Sequence, residues 1–132
     1  MSSKFSKEIP KIYYKLHDKF GVEWDDGVII PWNDKIHCKF DLPEEKIVHE
    51  EVHLWQQRLK GPKAWFDKYI SDPVFRLNQE VEACRAEVKW IESNVPDRNK
   101  RFKMIHAIAT LLSGSVYGDL VSYQTAMELI NK

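Results

Sequence analysis

Apolar residues recur at spacings of three and four from Asp41 almost to the end of the chain, which is the pattern of amphipathic helices. This pattern predicts five helices, at residues 43–60, 63–70, 73–93, 97–112 and 119–131. A further helix is predicted at residues 6–20, ended by Gly21, and two short β-type runs, 27–31 and 35–40, flank a turn signal. The chain is therefore expected to have an α+β fold that is mostly helical, with a small antiparallel sheet near the N-terminus.

The length and the charge balance narrow the possible classes of protein. A chain of 132 residues is long enough for one compact domain and short for two, so residues 1–132 are expected to form a single domain. Its 20 Lys and Arg balance its 20 Asp and Glu, which gives no reason to expect nucleic acid as a partner. No membrane partner is expected either, because the longest apolar stretch, 104–112, is far short of the roughly 20 residues that span a bilayer.

The N-terminus and the cysteines bear on cellular location. Lys4, Lys7 and Glu8 stand where a secretory signal would carry its apolar core, so a cytoplasmic location is expected. Cys38 and Cys84 are far apart, and neither belongs to a Cys-x-x-Cys pair. Both cysteines are expected to be reduced and buried.

The segment His49-Glu50-Glu51-Val52-His53 has the form His-Glu-x-x-His and lies inside the helix predicted at residues 43–60. Histidines four positions apart stand one above the other on a helix, so both imidazoles can reach one metal ion. Glu50 lies between them and can contact a water molecule bound to that ion. The spacing suits zinc-hydrolase chemistry, with zinc as the expected cofactor; an ordinary polar helix surface is the alternative interpretation.

The motif helix is expected to have a core side and a cleft side. Its narrow apolar stripe is made by Val48, Val52, Trp55 and Leu59. The His-Glu-x-x-His side chains share a different face, so we expect the stripe to pack into the core and the histidines to face a cleft. Gln56 and Gln57 either line that cleft or continue a polar face.

A catalytic zinc site needs a third protein ligand. The metzincin pattern is excluded, because Gln56 and Leu59 occupy the positions where it requires Gly and His. The helix at residues 73–93 instead supplies carboxylates beside an apolar stripe, which is made by Leu77, Val81, Cys84, Val88 and Ile91. Glu80 projects from the edge of this stripe and is the predicted third ligand, whereas Glu82 points to the opposite, solvated face.

Two carboxylates on this helix have alternative roles. Because Glu80 lies beside an apolar stripe, its carboxylate needs a metal or another cation as a partner. The alternative to zinc is a salt bridge to Arg76, Arg101 or Lys103. Glu87 is either the acceptor of a hydrogen bond from a ligand imidazole or an exposed helix charge. The small side chain of Ala83 fits a close approach of the two helices.

A peptide substrate needs a binding surface, and the strand predicted at residues 35–40 lies just upstream of the motif helix. A peptide can add to an exposed strand edge through main-chain hydrogen bonds, and a purely structural hairpin is the alternative. The candidates for stabilising an oxyanion are His106, Tyr117 and Tyr123, among which the sequence does not choose.

The residues His49-Glu50-x-x-His53, followed 27 positions later by Glu80-x-x-Ala83, resemble the gluzincin branch of the zinc metallopeptidases. The small size is similar to that of the minigluzincins and, more distantly, of intracellular peptidases that cleave repressors in phage and mobile-element regulation. The resemblance covers residues 49–84, about a quarter of the chain. It implies a zincin-like fold, with His49, His53 and Glu80 as zinc ligands and Glu50 as general base. Cys84 stands where that branch commonly has Asp or Asn, and Glu87 is the candidate to replace this partner.

The expected function is zinc-dependent hydrolysis of peptide bonds in a peptide or protein substrate. A zinc-bound water would be the nucleophile, and Glu50 would take its proton and then pass it to the leaving amine. One alternative is a noncatalytic zincin-like module that binds a metal or another protein. Another is a helical interaction protein in which the motif arose by chance. Oligomeric state and substrate specificity are not predicted.

Overall fold

A computed structural model describes residues 4–25 and 27–132, and most of the chain is helical. The elements in chain order are strand β1 (Phe5–Ser6), helix α1 (Tyr13–Phe20), strands β2 (Ile29–Trp32) and β3 (Lys35–Cys38), and helices α2 (Glu44–Gln57), α3 (Pro62–Ser71), α4 (Pro73–Asn94), α5 (Arg98–Leu112) and α6 (Tyr123–Ile130). A short 3₁₀ helix, Ser115–Tyr117, precedes α6. Five of the six helices lie where the apolar spacing predicts them, within a few residues at each end. The mostly helical α+β prediction is confirmed at this level.

Local sequence explains where these helices begin. The Asp72 side chain accepts hydrogen bonds from the backbone N–H groups of Val74 and Phe75, and Pro73 occupies the first position of α4. Asp97 caps α5 in the same way. Helix α1 ends at Gly21 as predicted, with a φ of 69° that glycine adopts easily. Its predicted start at residue 6 is wrong, because the chain there forms β1 and α1 begins only at Tyr13.

The sheet has three strands in the order β1-β3-β2. β2 and β3 form the expected antiparallel hairpin, in which Ile29 lies opposite Cys38. β1 pairs parallel to β3, with Phe5 opposite Ile36, so the prediction of a purely antiparallel sheet is wrong. A two-residue strand has no periodicity to detect, and its pairing depends on where the N-terminal segment lies in three dimensions. The consequence is that β3 is the central strand and that β1 occupies the edge predicted to receive a peptide.

Helix α4 is the centre of the helical part, since it packs against α2, α3, α5 and α6. Its predicted apolar stripe is confirmed: Val81, Cys84, Val88 and Ile91 are buried and Leu77 is partly buried. Both cysteines are free and buried, as expected. Among the residues described, no helix combines the length and the apolar content needed to cross a bilayer.

The predicted faces of α2 are reversed in the structure. Trp55 and Leu59, which were expected in the core, are 57% and 86% exposed, whereas His49, Glu50 and His53 are buried. The polar side can be buried because its groups have partners on α4 and on the β2–β3 turn. Within the described part of the chain, every side-chain nitrogen or oxygen that is fully shielded from solvent has a hydrogen-bond partner. The apolar stripe is left facing solvent as a result.

Candidate metal site

The structure brings the three predicted ligands together. His49 and His53 project from α2 toward Glu80 on α4, and the Nε2 atom of each imidazole lies 3.2 Å from the same Glu80 Oε1. One ligand atom from each residue falls within 4.8 Å of the others. The four-residue spacing places the imidazole centroids 4.9 Å apart. This buried group of two imidazoles and one carboxylate could hold a metal ion.

Burial makes this grouping informative. His49, His53 and Glu80 are 6%, 2% and 3% exposed. A carboxylate this deep in a protein requires a compensating charge or a metal. The alternative cations lie elsewhere: Arg76 donates to the carbonyls of Tyr69, Ile70 and Tyr117, Arg101 donates to those of Val95 and Pro96, and Lys103 is exposed. The two imidazoles are therefore the immediate partners of Glu80.

The other nitrogen of each imidazole is held by a second hydrogen bond. His49 Nδ1 lies 2.9 Å from Glu87 Oε1, and His53 Nδ1 lies 2.8 Å from Gln56 Oε1. Both of these oxygens can only accept, so each Nδ1 carries a proton. In the neutral imidazole, the Nε2 lone pair then faces Glu80, which is the arrangement that metal-ligating histidines adopt. Of the two roles considered for Glu87, the structure supports the partner of a ligand imidazole.

Gln56 and Glu82 extend this arrangement outward from His53. The Gln56 amide nitrogen donates to the Gln79 carbonyl and to Glu82 Oε1, at 3.1 and 2.8 Å. Glu82 is exposed as predicted, but it also fixes the amide that orients His53. Gln57 instead bonds the Asn33 N–H and the Pro31 carbonyl, which ties α2 to the hairpin turn. Both glutamines are buried, so neither continues a solvent-exposed polar face.

Tyr69 is a member of the site that sequence reasoning missed. Its hydroxyl donates to Glu80 Oε2 at 2.7 Å, and its ring is buried. Burial and the nearby Glu80 carboxylate raise the pKa of Tyr69 well above its usual value, so the hydroxyl stays protonated and remains a donor. In the sequence, Tyr69 looks like one more apolar position of α3. The only available signal was that a buried tyrosine needs a partner for its hydroxyl.

Glu50 lies beside the three-residue group. Its side chain is buried, and its Oε2 is 3.9 Å from His49 Nε2. No hydrogen bond joins its carboxylate to the residues that the structure describes. Burial raises the pKa of Glu50, although His49 and His53 offset part of this effect. A carboxylate that is not engaged in a hydrogen bond and has a raised pKa is suited to accept and return a proton.

The three candidate ligands influence each other's protonation. Burial alone would lower the pKa of His49 and of His53, but the carboxylates around them outweigh it and raise both values. For His49, the Coulomb attraction of Glu50 is the largest raising effect, and for His53 it is that of Glu80. Burial would raise the pKa of Glu80, but the two imidazoles outweigh it and lower the pKa. Without a metal, protons take its place between these groups.

The oxyanion candidates occupy two different places. His106 and Tyr123 bond to each other at 2.6 Å, and both are exposed on α5 and α6. Tyr117 is partly buried, and its pKa is raised well above the usual value by burial and then by Glu80, with a smaller effect of Glu50. Tyr117 therefore lies close enough to the site for the charges of Glu80 and Glu50 to raise its pKa.

Comparisons of this chain with protein-family models, with curated proteins and with solved structures found no match. The resemblance of residues 49–84 to gluzincins stays a prediction, as does membership of any particular peptidase family. Any function of this chain therefore has to be inferred from the geometry of the candidate metal site.

Replacing Glu87 tests the outer hydrogen bond to His49. In Glu87→Gln the amide oxygen can still accept from Nδ1, but the negative charge that raises imidazole basicity is lost. We expect zinc affinity to fall by roughly 10- to 100-fold, with one zinc ion still bound at saturation. Competition with a chromophoric chelator measures the change, and Glu92→Gln, an exposed position on the same helix, is the matched control. Equal affinities for the two variants would contradict a role for Glu87 in metal binding.

Proposed function

We propose that this chain is a zinc-dependent metallopeptidase in which His49, His53 and Glu80 bind the zinc ion and Glu50 is the general base. The observation that carries the proposal is the convergence of both Nε2 atoms on one oxygen of Glu80. The fixed Nδ1–H tautomers support it, because they leave two lone pairs directed at the same point.

The donor set fits zinc. Two imidazole nitrogens and one carboxylate oxygen are typical of catalytic zinc sites, which use three protein ligands and keep a position open. Thiolate ligands, which would favour a structural site, are not part of the group. Nickel, cobalt or manganese can occupy the same ligands in a preparation, so the identity of the ion has to be measured.

The residues around the ion have distinct roles in this proposal. A bound zinc ion supplies Lewis acidity, which acidifies water and polarises a peptide carbonyl. Glu50 accepts the proton of the attacking water and passes it to the leaving amine. Tyr69 holds the second oxygen of Glu80, so this carboxylate cannot rotate freely. The hydroxyl of Tyr117 stays protonated, which is what a donor to the developing oxyanion requires.

A second candidate function is a metal-binding module without turnover. Two observations favour it: the ligands and Glu50 are buried, and β1 already pairs with the edge of β3 that was expected to bind a peptide. In this alternative the ion stabilises the contact between α2 and α4, and Glu50 has no proton to transfer.

Metal content and peptide cleavage together separate the two functions. The protein is stripped with a chelator, titrated with zinc, analysed for bound metal and incubated with a peptide mixture that mass spectrometry reads. One zinc ion per chain with zinc-dependent cleavage supports the peptidase. One zinc ion without cleavage of peptides or unfolded protein supports the metal-binding module, and no zinc binding overturns both.

The raised pKa values of the histidines predict how zinc affinity depends on pH. Zinc binds neutral imidazole, so it must displace the protons that the metal-free site holds. Because both pKa values lie above the ordinary 6.5, this competition extends to higher pH than for exposed histidines. The pKa of Glu80 is lowered from its ordinary value of 4.5, so above pH 4.5 this carboxylate is already ionised and holds no proton for zinc to displace. Affinity should therefore fall as pH decreases, by up to about 100-fold per pH unit while two protons are displaced.

Protonation of the two histidines weakens zinc binding, but it stabilises the fold of the metal-free chain. A histidine whose pKa is raised by folding stabilises the folded chain fully at pH values below 6.5, which is its pKa in the unfolded chain. This stabilisation is lost as pH rises through the pKa that the histidine has in the folded chain. The increase in Tm on adding zinc should therefore grow between about pH 6 and about pH 8. Thermal melts with and without zinc measure it, and an increase that is constant over this range would contradict the assigned protonation.

A further inference from the structure

Helix α2 and the turn that directly follows it carry an apolar seam on the side that faces solvent. The seam consists of Val48, Val52, Trp55 and Leu59, of which the last two are mostly exposed and the valines half-buried. An exposed tryptophan and leucine one turn apart are unusual on a surface that only contacts water. The successive spacings of four, three and four residues are those of a coiled-coil seam.

We propose that this seam is the interface of a homodimer, in which α2 packs antiparallel against α2 of a second copy about a twofold axis. In this arrangement Val48 meets the partner's Leu59, and Val52 meets the partner's Trp55. Each contact then joins a small side chain to a large one, and the twofold axis repeats it. The proposal does not depend on zinc binding or on peptidase activity.

The charges of α2 select the antiparallel direction. The exposed surface at the start of the helix is acidic, with Glu44 and the partly exposed Glu45, and its end is basic, with Arg58 and Lys60 just after it. An antiparallel pair places each acidic start beside the partner's basic end, whereas a parallel pair places like charges together. The charge pattern therefore fits a second copy of this helix running the opposite way.

The flanks of the seam lead to the same arrangement. One flank, with Glu51 and Arg58, is exposed, and the other, with His49 and Gln56, is buried against α4. In an antiparallel coiled coil like flanks face each other, so the two exposed flanks meet and Glu51 approaches the partner's Arg58. Glu51 is already oriented by Lys4, whose Nζ lies 2.9 Å from its carboxylate. In a parallel pair each exposed flank would instead face the partner's buried flank, and Glu51 would not meet the partner's Arg58.

A groove beside the seam can extend the interface. It has a volume of about 430 Å³ and is lined in part by Phe5, Phe40, Leu42 and Ile47. Ile47 belongs to α2 and directly precedes Val48, so the groove reaches the helix that carries most of the seam. A stable dimer commonly buries more than about 1,000 Å² in total, which requires surface beyond a single helix face.

Sedimentation of the full chain, with seam variants, tests this interface. The wild type is expected to sediment with twice the 15.6 kDa mass of the chain at micromolar concentration. Leu59→Glu should raise the dimer Kd by at least about 100-fold, because it buries a carboxylate in the seam. Val74→Glu, at an exposed valine on α4, is the matched control and should leave the dimer intact.

A charge swap tests the direction of packing. Arg58→Glu alone should weaken the dimer, because it faces the partner's Glu51, and the double variant with Glu51→Arg should recover it. Thermal melting of each variant shows that it remains folded. A monomeric wild type at high micromolar concentration overturns the proposal, whether or not another protein binds the seam. A dimer that persists in Leu59→Glu, or a double variant that does not recover, also overturns it.

Discussion

Glu50→Gln is expected to lower the kcat/KM for peptide cleavage by about 10²- to 10⁴-fold while one zinc ion stays bound. Glu50 is the buried carboxylate beside the ligands, and no hydrogen bond to the described residues occupies it. The amide has the same shape but cannot accept the proton of the attacking water. The three zinc ligands are unchanged, so metal content should be unchanged as well.

This substitution should not damage the fold. Burial disfavours the charged form of Glu50, which is why its pKa is raised, and a neutral amide removes that cost. Peptide turnover, elemental analysis and thermal melting are compared with those of Glu92→Gln, an exposed glutamate on α4. Full turnover in Glu50→Gln would exclude Glu50 as the base. Loss of zinc would instead make Glu50 part of the metal-binding group.

Glu80→Gln is expected to abolish stoichiometric zinc binding, with a loss larger than the roughly 10- to 100-fold expected for an outer partner such as Glu87. The substitution removes the negative charge on which both imidazoles converge, and a neutral amide oxygen is a much weaker zinc ligand. The new side chain can still accept the hydrogen bond of Tyr69, so the metal-free fold should persist. Zinc retained at full affinity in Glu80→Gln would remove Glu80 from the site.

Two variants on the same helix calibrate the loss in Glu80→Gln. Glu92→Gln changes an exposed carboxylate and should bind zinc normally. Glu82→Ala, which the sequence alone predicts to be silent, should weaken binding slightly, because Glu82 accepts a hydrogen bond from the amide that orients His53. An effect of Glu82→Ala as large as that of Glu80→Gln would show that the two carboxylates have been assigned wrongly.

Much of the fold was predictable because local rules determine it. Apolar spacing located α2 to α6 within a few residues, and Gly21 and Asp97 mark helix ends through caps that depend only on neighbouring residues. The N-terminal segment was not predictable in this way. A strand of two residues carries no repeating pattern, and its partner is a strand about thirty positions later in the chain.

The candidate site was likewise predictable only where local sequence rules determine it. Periodicity alone separated Glu80, at the edge of a buried stripe, from Glu82 on the exposed face, and the structure agrees with both positions. Tyr69 could not be assigned, because it acts through a hydrogen bond to Glu80 that tertiary packing decides. Gln56 is one turn from His53, but its amide is held in place by Gln79 and Glu82 on another helix. For Glu87 the sequence left two roles open, and only the contact with His49 Nδ1 distinguished them.

The sequence by itself determined that His49 and His53 share one side of a helix, since a spacing of four residues makes them neighbours in any α-helix. Only the tertiary structure decided that this side is buried and that the apolar seam with Trp55 and Leu59 is exposed. The physical reason is that periodicity defines the faces of a helix but not their surroundings. A polar face can be buried when another helix supplies complementary groups, as α4 does with Glu80 and Glu87.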